Sequence, residues 1–314
     1  MATTNLTIGR KQTGSFEELR CSSTLTSGIH QHLIWISAVN TLLSIVSVIG
    51  NVLILAALRR ESSLHPPSKL FLRCLAISDL SVGLLAEPLN IVYWMSLVYE
   101  NWDLCQFVSA ASFIVGYVLA SVSLFTLTAI SVDRVLALVL RLRYRYVVTI
   151  QRTYVAVSFF WGLSTAAAVS SLRTHLITFW FSRIGISVCL TTSIIAYTKI
   201  FVTLLRRRVQ VRAEIEQPVP SDQSVLNIAR YRKAVYSALW IQLALLACYL
   251  PYSIVTALLS YRRPSQLFFL AWVMAVSLVY ANSSLNPILY CWKINEVRQA
   301  VKETLRNSLC WRYS

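Results

Sequence analysis

Two acids lie deep in apolar sequence: Asp79, at the end of Leu75-Ala76-Ile77-Ser78-Asp79, and Glu87, roughly two helical turns further on and followed by Pro88. A carboxylate surrounded by hydrocarbon is costly, so each calls for polar partners or a cation. Candidate partners sit far along the chain. The run Asn282-Ser283-Ser284-Leu285-Asn286-Pro287-Ile288-Leu289-Tyr290 places two amides, two hydroxyls and a proline inside another apolar stretch. Asn282, Asn286 and Tyr290 share one helical stripe, and Gly116, Ser123 and Arg134 nearly share another, ending in the charge pair Asp133-Arg134. Pro287 cannot donate to the carbonyl of Ser283, which favours a kink there. Such residues suit a kinked, polar bundle interior or a bound cation. No nucleophile-base pair or metal-ligand cluster appears at matching depth, and His30, His32, His65 and His175 fall near the edges of the apolar segments, so enzymatic activity is not expected.

The elements that must position these groups are membrane helices. Of the 314 residues 56% are hydrophobic and only 13% charged, with a mean hydropathy of +0.59, too little charge to cover a soluble surface. Apolar segments fall at roughly 33–58, 68–96, 104–138, 153–172, 176–205, 231–260 and 265–292. The fourth and fifth are divided only by the few residues around Arg173, Thr174 and His175, and their joint length rules out a single span. The expected fold is therefore an all-α membrane protein, a seven-transmembrane helix bundle over 33–292. Most of the 29 lysines and arginines lie at or beyond the ends of spans one, three, five and seven, which puts the N-terminal segment 1–32 outside and the tail 293–314 in the cytoplasm. The net charge of +16 belongs mainly to that cytoplasmic face and its anionic lipid, and a nucleic-acid partner is not expected. Residues 1–32 contain no apolar h-region, so the first span is expected to direct insertion. Asn5-Leu6-Thr7 is a glycosylation sequon on the outer side, whereas the match at Asn282 lies inside a span. The buried acid and broken helices alone would also suit a small transporter or ion channel, although no repeated halves are visible.

Each span carries a landmark, and together they carry a resemblance from about Gly50 to Asn307. These are Gly50-Asn51-Val52, the segment ending at Asp79, Trp102 and Cys105 before span three, Asp133-Arg134-Val135 at its end, Trp161, Tyr197, Cys248-Tyr249-Leu250-Pro251, and Asn286-Pro287-Ile288-Leu289-Tyr290. The chain resembles a rhodopsin-like (class A) G-protein-coupled receptor. The resemblance implies a plasma-membrane receptor that binds an outer-side diffusible ligand and activates a heterotrimeric G protein, with arrestin as a further partner. It also implies a sodium ion held by Asp79, Ser123, Asn282 and Asn286, chemistry that suits a buried carboxylate among neutral oxygens; a protonated, hydrogen-bonded Asp79 is the alternative. Activation in this family swings the inner end of span six about a proline, here Pro251, exposing the arginine of span three, here Arg134, with Tyr197 and Tyr290 as switch residues. An acid that would lock that arginine is replaced by Tyr231, so ligand-independent signalling is expected. Residues 294–305, with Ile294, Val297, Val301 and Leu305 on one face, resemble the family's short amphipathic eighth helix. Cys310 beyond them is a candidate for palmitoylation or a plain thiol.

Departures bear on the ligand. The family ordinarily bonds the cysteine atop span three to the second outer loop, which here is nearly absent and has no cysteine. If Cys105 is bonded within the chain, its partner is Cys21, and the N-terminus folds over the pocket. Cys189 stands where span five usually has proline, which is similar to melanocortin receptors and partly to adenosine, cannabinoid and lysophospholipid relatives. Tyr249 replaces the usual tryptophan, and Arg141 a proline. Gly116 replaces the aspartate of amine receptors, and Tyr280 stands where opsins carry their retinal-binding lysine. A ligand pocket of mixed polarity is expected from Glu87, Arg183, Gly116 and Tyr249, with Tyr117, Tyr252, Trp272 and Tyr280 as aromatic walls. Glu87 is the candidate for a ligand cation or, alternatively, a structural acid beside Pro88.

Overall fold

The computed structural model describes residues 20–60, 64–140, 143–173, 175–215, 240, 243–259, 265–293, 298–299, 301–302 and 306. Every regular element among them is helical. The membrane helices are α1 (His30–Arg60), α2 (Pro66–Ser81, Val82–Ala86 and Glu87–Val98 in continuous succession), α3 (Trp102–Leu140), α4 (Ile150–Ser170), α5 (His175–Ile215), α6 (Leu243–Leu259) and α7 (Gln266–Lys293). Five of these, α1, α3, α4, α5 and α7, contain continuous stretches long and apolar enough to cross a bilayer. The beginning of the expected sixth span, Arg141, Tyr231, Asn5 and Cys310 lie outside the described residues. So do Ile294, Val297 and Leu305 of the expected eighth helix, in which Val301 is helical and buried while Arg298, Lys302 and Arg306 are helical and exposed.

The long α3 packs against α2, α4 and α5, and α1 against α2 and α7. Outward-facing Trp35, Leu42, Ile49, Val155 and Ile184 present apolar side chains to the surroundings, as lipid requires. The core is continuous, from Leu33 and Trp94 at the outer end through Leu75, Leu124 and Val273.

Two prolines shape the α1–α2–α7 side. Pro88 has no N–H, and the turn before it widens to a π-helical stretch at Val82–Ala86, in which the Glu87 amide bonds the carbonyl of Val82. The next bond in that pattern would run from residue 88 to Gly83. Proline cannot make it, and Ser44 Oγ on α1 donates to the Gly83 carbonyl instead, at 2.7 Å. On α7 Pro287 likewise leaves the Ser283 carbonyl free, and Asn51 Nδ2 donates to it at 3.1 Å. Asn51 also donates to the Ser47 carbonyl at 2.8 Å, and Ser284 Oγ to the Leu43 carbonyl at 2.8 Å. In hydrocarbon a freed carbonyl has no water to turn to, so these side chains make the breaks tolerable. Close approach is part of the same joint: a Cβ on Gly50 would lie 2.8 Å from the ring of Pro287.

Candidate ligand cavity and switch network

The residues just before α1 close the outer end of the bundle. Cys21 and Cys105 form a disulfide with Cα atoms 6.0 Å apart, tying the N-terminal segment to the start of α3. A single helical turn, Ser23–Thr26, follows. Gln266 at the start of α7 holds it by donating to Ser27 Oγ at 2.8 Å. Residues 20–29 thus lie over the outer end of the bundle.

Below this cover lies a cavity of about 830 Å³, counting the space open to solvent, lined by α2, α3, α5, α6 and α7. Tyr117, Tyr249, Tyr252, Trp272, Tyr280 and Gly116 all line it, as expected. Glu87 and Arg183 do not. Glu87 is wholly buried, and neither carboxylate oxygen has a hydrogen-bond partner among the described residues. The widened turn before it resets the phase of the outer part of α2, bringing Asn90 and Tyr93 to the cavity wall. Arg183 stacks on Phe179, 4.1 Å from the ring centroid, and donates from Nη2 to the Thr256 carbonyl at 3.2 Å, tying α5 to α6. Gly116 has a steric role here. A Cβ at that position would collide with the hydroxyl of Tyr280, which accepts a 3.0 Å hydrogen bond from Asn90 Nδ2, so α2, α3 and α7 meet there.

Tyr249 links this cavity to the polar centre. It is buried, and its hydroxyl donates to the Ala120 carbonyl at 3.3 Å. In the polar centre, Asp79 is fully buried and accepts three hydrogen bonds: from Ser123 Oγ and Ser283 Oγ to Oδ1, each at 2.9 Å, and from Asn286 Nδ2 to Oδ2 at 2.7 Å. Its backbone carbonyl accepts from Ser47 Oγ at 2.9 Å. Three of the four expected residues therefore meet, and Ser283 joins them. Asn282 is buried too, but its Nδ2 has no partner among the described residues. One carboxylate and two hydroxyls offer hard oxygen atoms of the kind that fit a monovalent cation such as sodium, with Asn286 turning its Nδ2 to the carboxylate.

At the inner end, Asp133 is not paired with Arg134 as the sequence suggested. Its carboxylate is taken by hydroxyls: Ser68 Oγ donates to Oδ2 at 2.8 Å and Tyr144 to Oδ1 at 2.6 Å. Tyr144 belongs to a helical turn, Tyr144–Val147, that follows α3, and its ring lies 5.0 Å from that of His65. Burial, reinforced by the bond to Asp133, pushes its phenol up to about 12, so it remains a donor at physiological pH. Arg134 is half-buried beside the buried Tyr197, and the side chain of Tyr290 lies outside the described residues.

Several participants were not visible from the chain alone. Ser283 was counted in the polar run without a role, and Asn51 was a landmark without a partner. Nothing around Tyr144 signalled that it would cover Asp133. Arg20, which lines the cavity, had one usable signal: it precedes the cysteine that bonds to α3.

Comparison with known proteins agrees with this architecture. Residues 50–178 and 170–290 match the family described as 7 transmembrane receptor (rhodopsin family). The chain is 26% identical to adenosine receptor A3 of Ovis aries over 288 residues, covering 83% of this chain and 86% of the relative. It is 26% identical to human adenosine receptor A2b over 312 residues, covering 87% and 90%. Against neuromedin-U receptor 2 of Mus musculus it is 26% identical over 312 residues, covering 88% and 76%. These relatives are receptors, which leaves the transporter or channel alternative unsupported. By its matched spans and their landmarks, the chain belongs to the rhodopsin family of seven-transmembrane receptors.

Proposed function

We propose that the aromatic cavity receives an extracellular diffusible ligand, and that its occupancy shifts the bundle toward a packing that activates a heterotrimeric G protein at the cytoplasmic face. The observation that carries this reading is the position of Tyr249. It stands in the cavity wall, bonds α3 at Ala120 and precedes Pro251, a proline inside α6, by half a turn. A ligand pressing on Tyr249 acts directly on the segment of α6 where the missing N–H of Pro251 loosens the helix. The N-terminus lies outside, in the plasma membrane of the expressing cell, and Arg134 with Tyr197 meets the G protein. The relatives are named for two ligands, adenosine and neuromedin U, and at 26% identity neither name carries over.

Asp79, Ser123, Ser283 and Asn286, with Asn282 beside them, would hold a sodium ion that stabilises the inactive packing. When bound, the ion supplies positive charge to a carboxylate otherwise neutralised only by hydrogen bonds. The chain's own hydroxyls and amides orient that carboxylate toward the interior of the bundle.

The test is guanine-nucleotide exchange on purified heterotrimers, with the full-length receptor in nanodiscs and a broad ligand library. Agonist-dependent exchange is expected, abolished by Arg134→Ala. Ion flux without exchange would overturn the reading. Raising sodium at constant ionic strength should raise the receptor's melting temperature, an effect that Asp79→Asn removes. Equal sodium responses in both proteins would remove the ion from the account.

A further inference from the structure

Among the described residues, the cavity's only charged lining residue is Arg20, at its outer mouth. The remaining described wall is aromatic, aliphatic, hydroxyl-bearing or, at Asn90, an amide, and no carboxylate among the described residues lines it. The position of Arg20 is fixed from both sides. The adjacent Cys21 is bonded to Cys105 on α3, and the Arg20 carbonyl accepts from the Tyr93 hydroxyl on α2 at 3.4 Å. Its guanidinium lies 5.8 Å from the centroid of Phe113, another lining residue, so it leans over α3 into the mouth. Its Nε is buried with no hydrogen-bond partner among the described residues. A guanidinium has five donors in a planar fork matched to carboxylate, sulfate or phosphate oxygens, and a desolvated donor left unpaired is costly.

We propose that Arg20 is the ligand-anchoring cation of this receptor, and that its ligand is an organic anion with an apolar or aromatic body. The anionic group pairs with Arg20 at the mouth, and the body descends among Tyr117, Tyr252 and Trp272. The Cys21–Cys105 bond acts as a positioning device, holding a cation from a terminal segment over a pocket formed by the membrane helices. This rests on the reading of the cavity as the ligand site, and it sets the charge of the ligand. It also moves the electrostatic anchor away from Glu87: the recognising charge is positive and lies at the mouth.

The experiment uses full-length receptor in nanodiscs and matched arylalkyl sets of one body: 4-phenylbutanoate, 4-phenylbutanamide and 4-phenylbutylamine, with corresponding sulfates and phosphates. Binding is read by thermal stabilisation up to about 10 mM, the weak end of small-ligand affinity. At least one class of anion is expected to bind about tenfold or more tighter than its neutral and cationic counterparts. Arg20→Gln should erase that preference. Arg20→Lys should restore part of it, and Tyr252→Ala should weaken anion and amide alike.

Four results would overturn the proposal. The amides or amines could bind as well as the anions, in which case the cavity remains a ligand site of another charge preference. No anion could bind by 10 mM. Arg20→Gln could keep the anion preference. Arg20→Gln and a Glu17→Gln/Glu18→Gln double variant could both raise nucleotide exchange without any added compound, making Arg20 an internal tether instead. Failure of the ligand-site reading is separately visible: no compound from the broad library would then stabilise the receptor in a Tyr252-dependent way.

Discussion

The bundle has two sides that treat broken helices differently. On the α1–α2–α7 side, each proline-freed carbonyl is met by a side chain from α1: Gly83 by Ser44, Ser283 by Asn51. On the α3–α5–α6 side, the side-chain bonds around Pro251 run elsewhere, from Tyr249 to Ala120 on α3 and from Ser253 to the carbonyl of Tyr249 within α6. None of them reaches the carbonyl of Ala247, the one that Pro251 cannot bond. One side is stapled, and the other, among the described residues, leaves the Ala247 carbonyl without a side-chain donor, where we propose the hinge. A proline in a membrane helix is therefore not in itself a moving part; whether its freed acceptor has been captured decides the matter.

Breaking the stapled side should have the largest effect. Gly50→Val places side-chain carbons where the rigid ring of Pro287 already sits. The expected loss is about 1–3 kcal/mol or more, read as a fall in melting temperature and in folded yield. Asn51→Leu removes the donor to two buried carbonyls, at Ser47 and Ser283, and should cost about 1–3 kcal/mol. Stability equal to wild type in that variant would show that the α1–α7 staple is ornamental. Pro251→Ala probes the other side. It should change the melting temperature little and yet reduce agonist-driven exchange severalfold; the opposite pattern would place the hinge elsewhere. The smallest effect is expected at the inner end. Tyr144→Phe removes one of the two donors to Asp133, costs about 1 kcal/mol, and should raise ligand-independent exchange modestly above wild type.

The sequence made the seven spans legible because lipid imposes a length and an apolar content that composition cannot hide. It also brought Asp79, Ser123 and Asn286 together, since buried polar groups in hydrocarbon must find one another. Details that depend on which neighbour is nearest were not legible. Asn282 and Ser283 are adjacent in the same run, and only the rotation of α7 against α2 decides that the serine reaches Asp79. Glu87 was expected in the pocket because a regular helix was assumed between it and Asp79, and the widened turn at Val82–Ala86 breaks that assumption. Asp133 was expected to face its neighbour Arg134, but two hydroxyls remote from α3's inner turn took the carboxylate first. The link between Cys21 and Cys105 was foreseeable as a conditional, whereas the arginine it delivers to the mouth was not.

The widened turn in α2 has a consequence for how such a pocket could change over generations. It carries one residue more than regular helix needs, and Leu84 and Leu85 within it face outward, about half exposed. Losing either would cost no core packing of its own and would let the turn relax to α-helical geometry, rotating Glu87–Val98 by about 100° relative to the inner half. Asn90 and Tyr93 would leave the cavity wall and other side chains would take their place. A single codon deletion on the lipid face could thus rewrite the ligand preference of this receptor without a substitution at any position of the cavity wall.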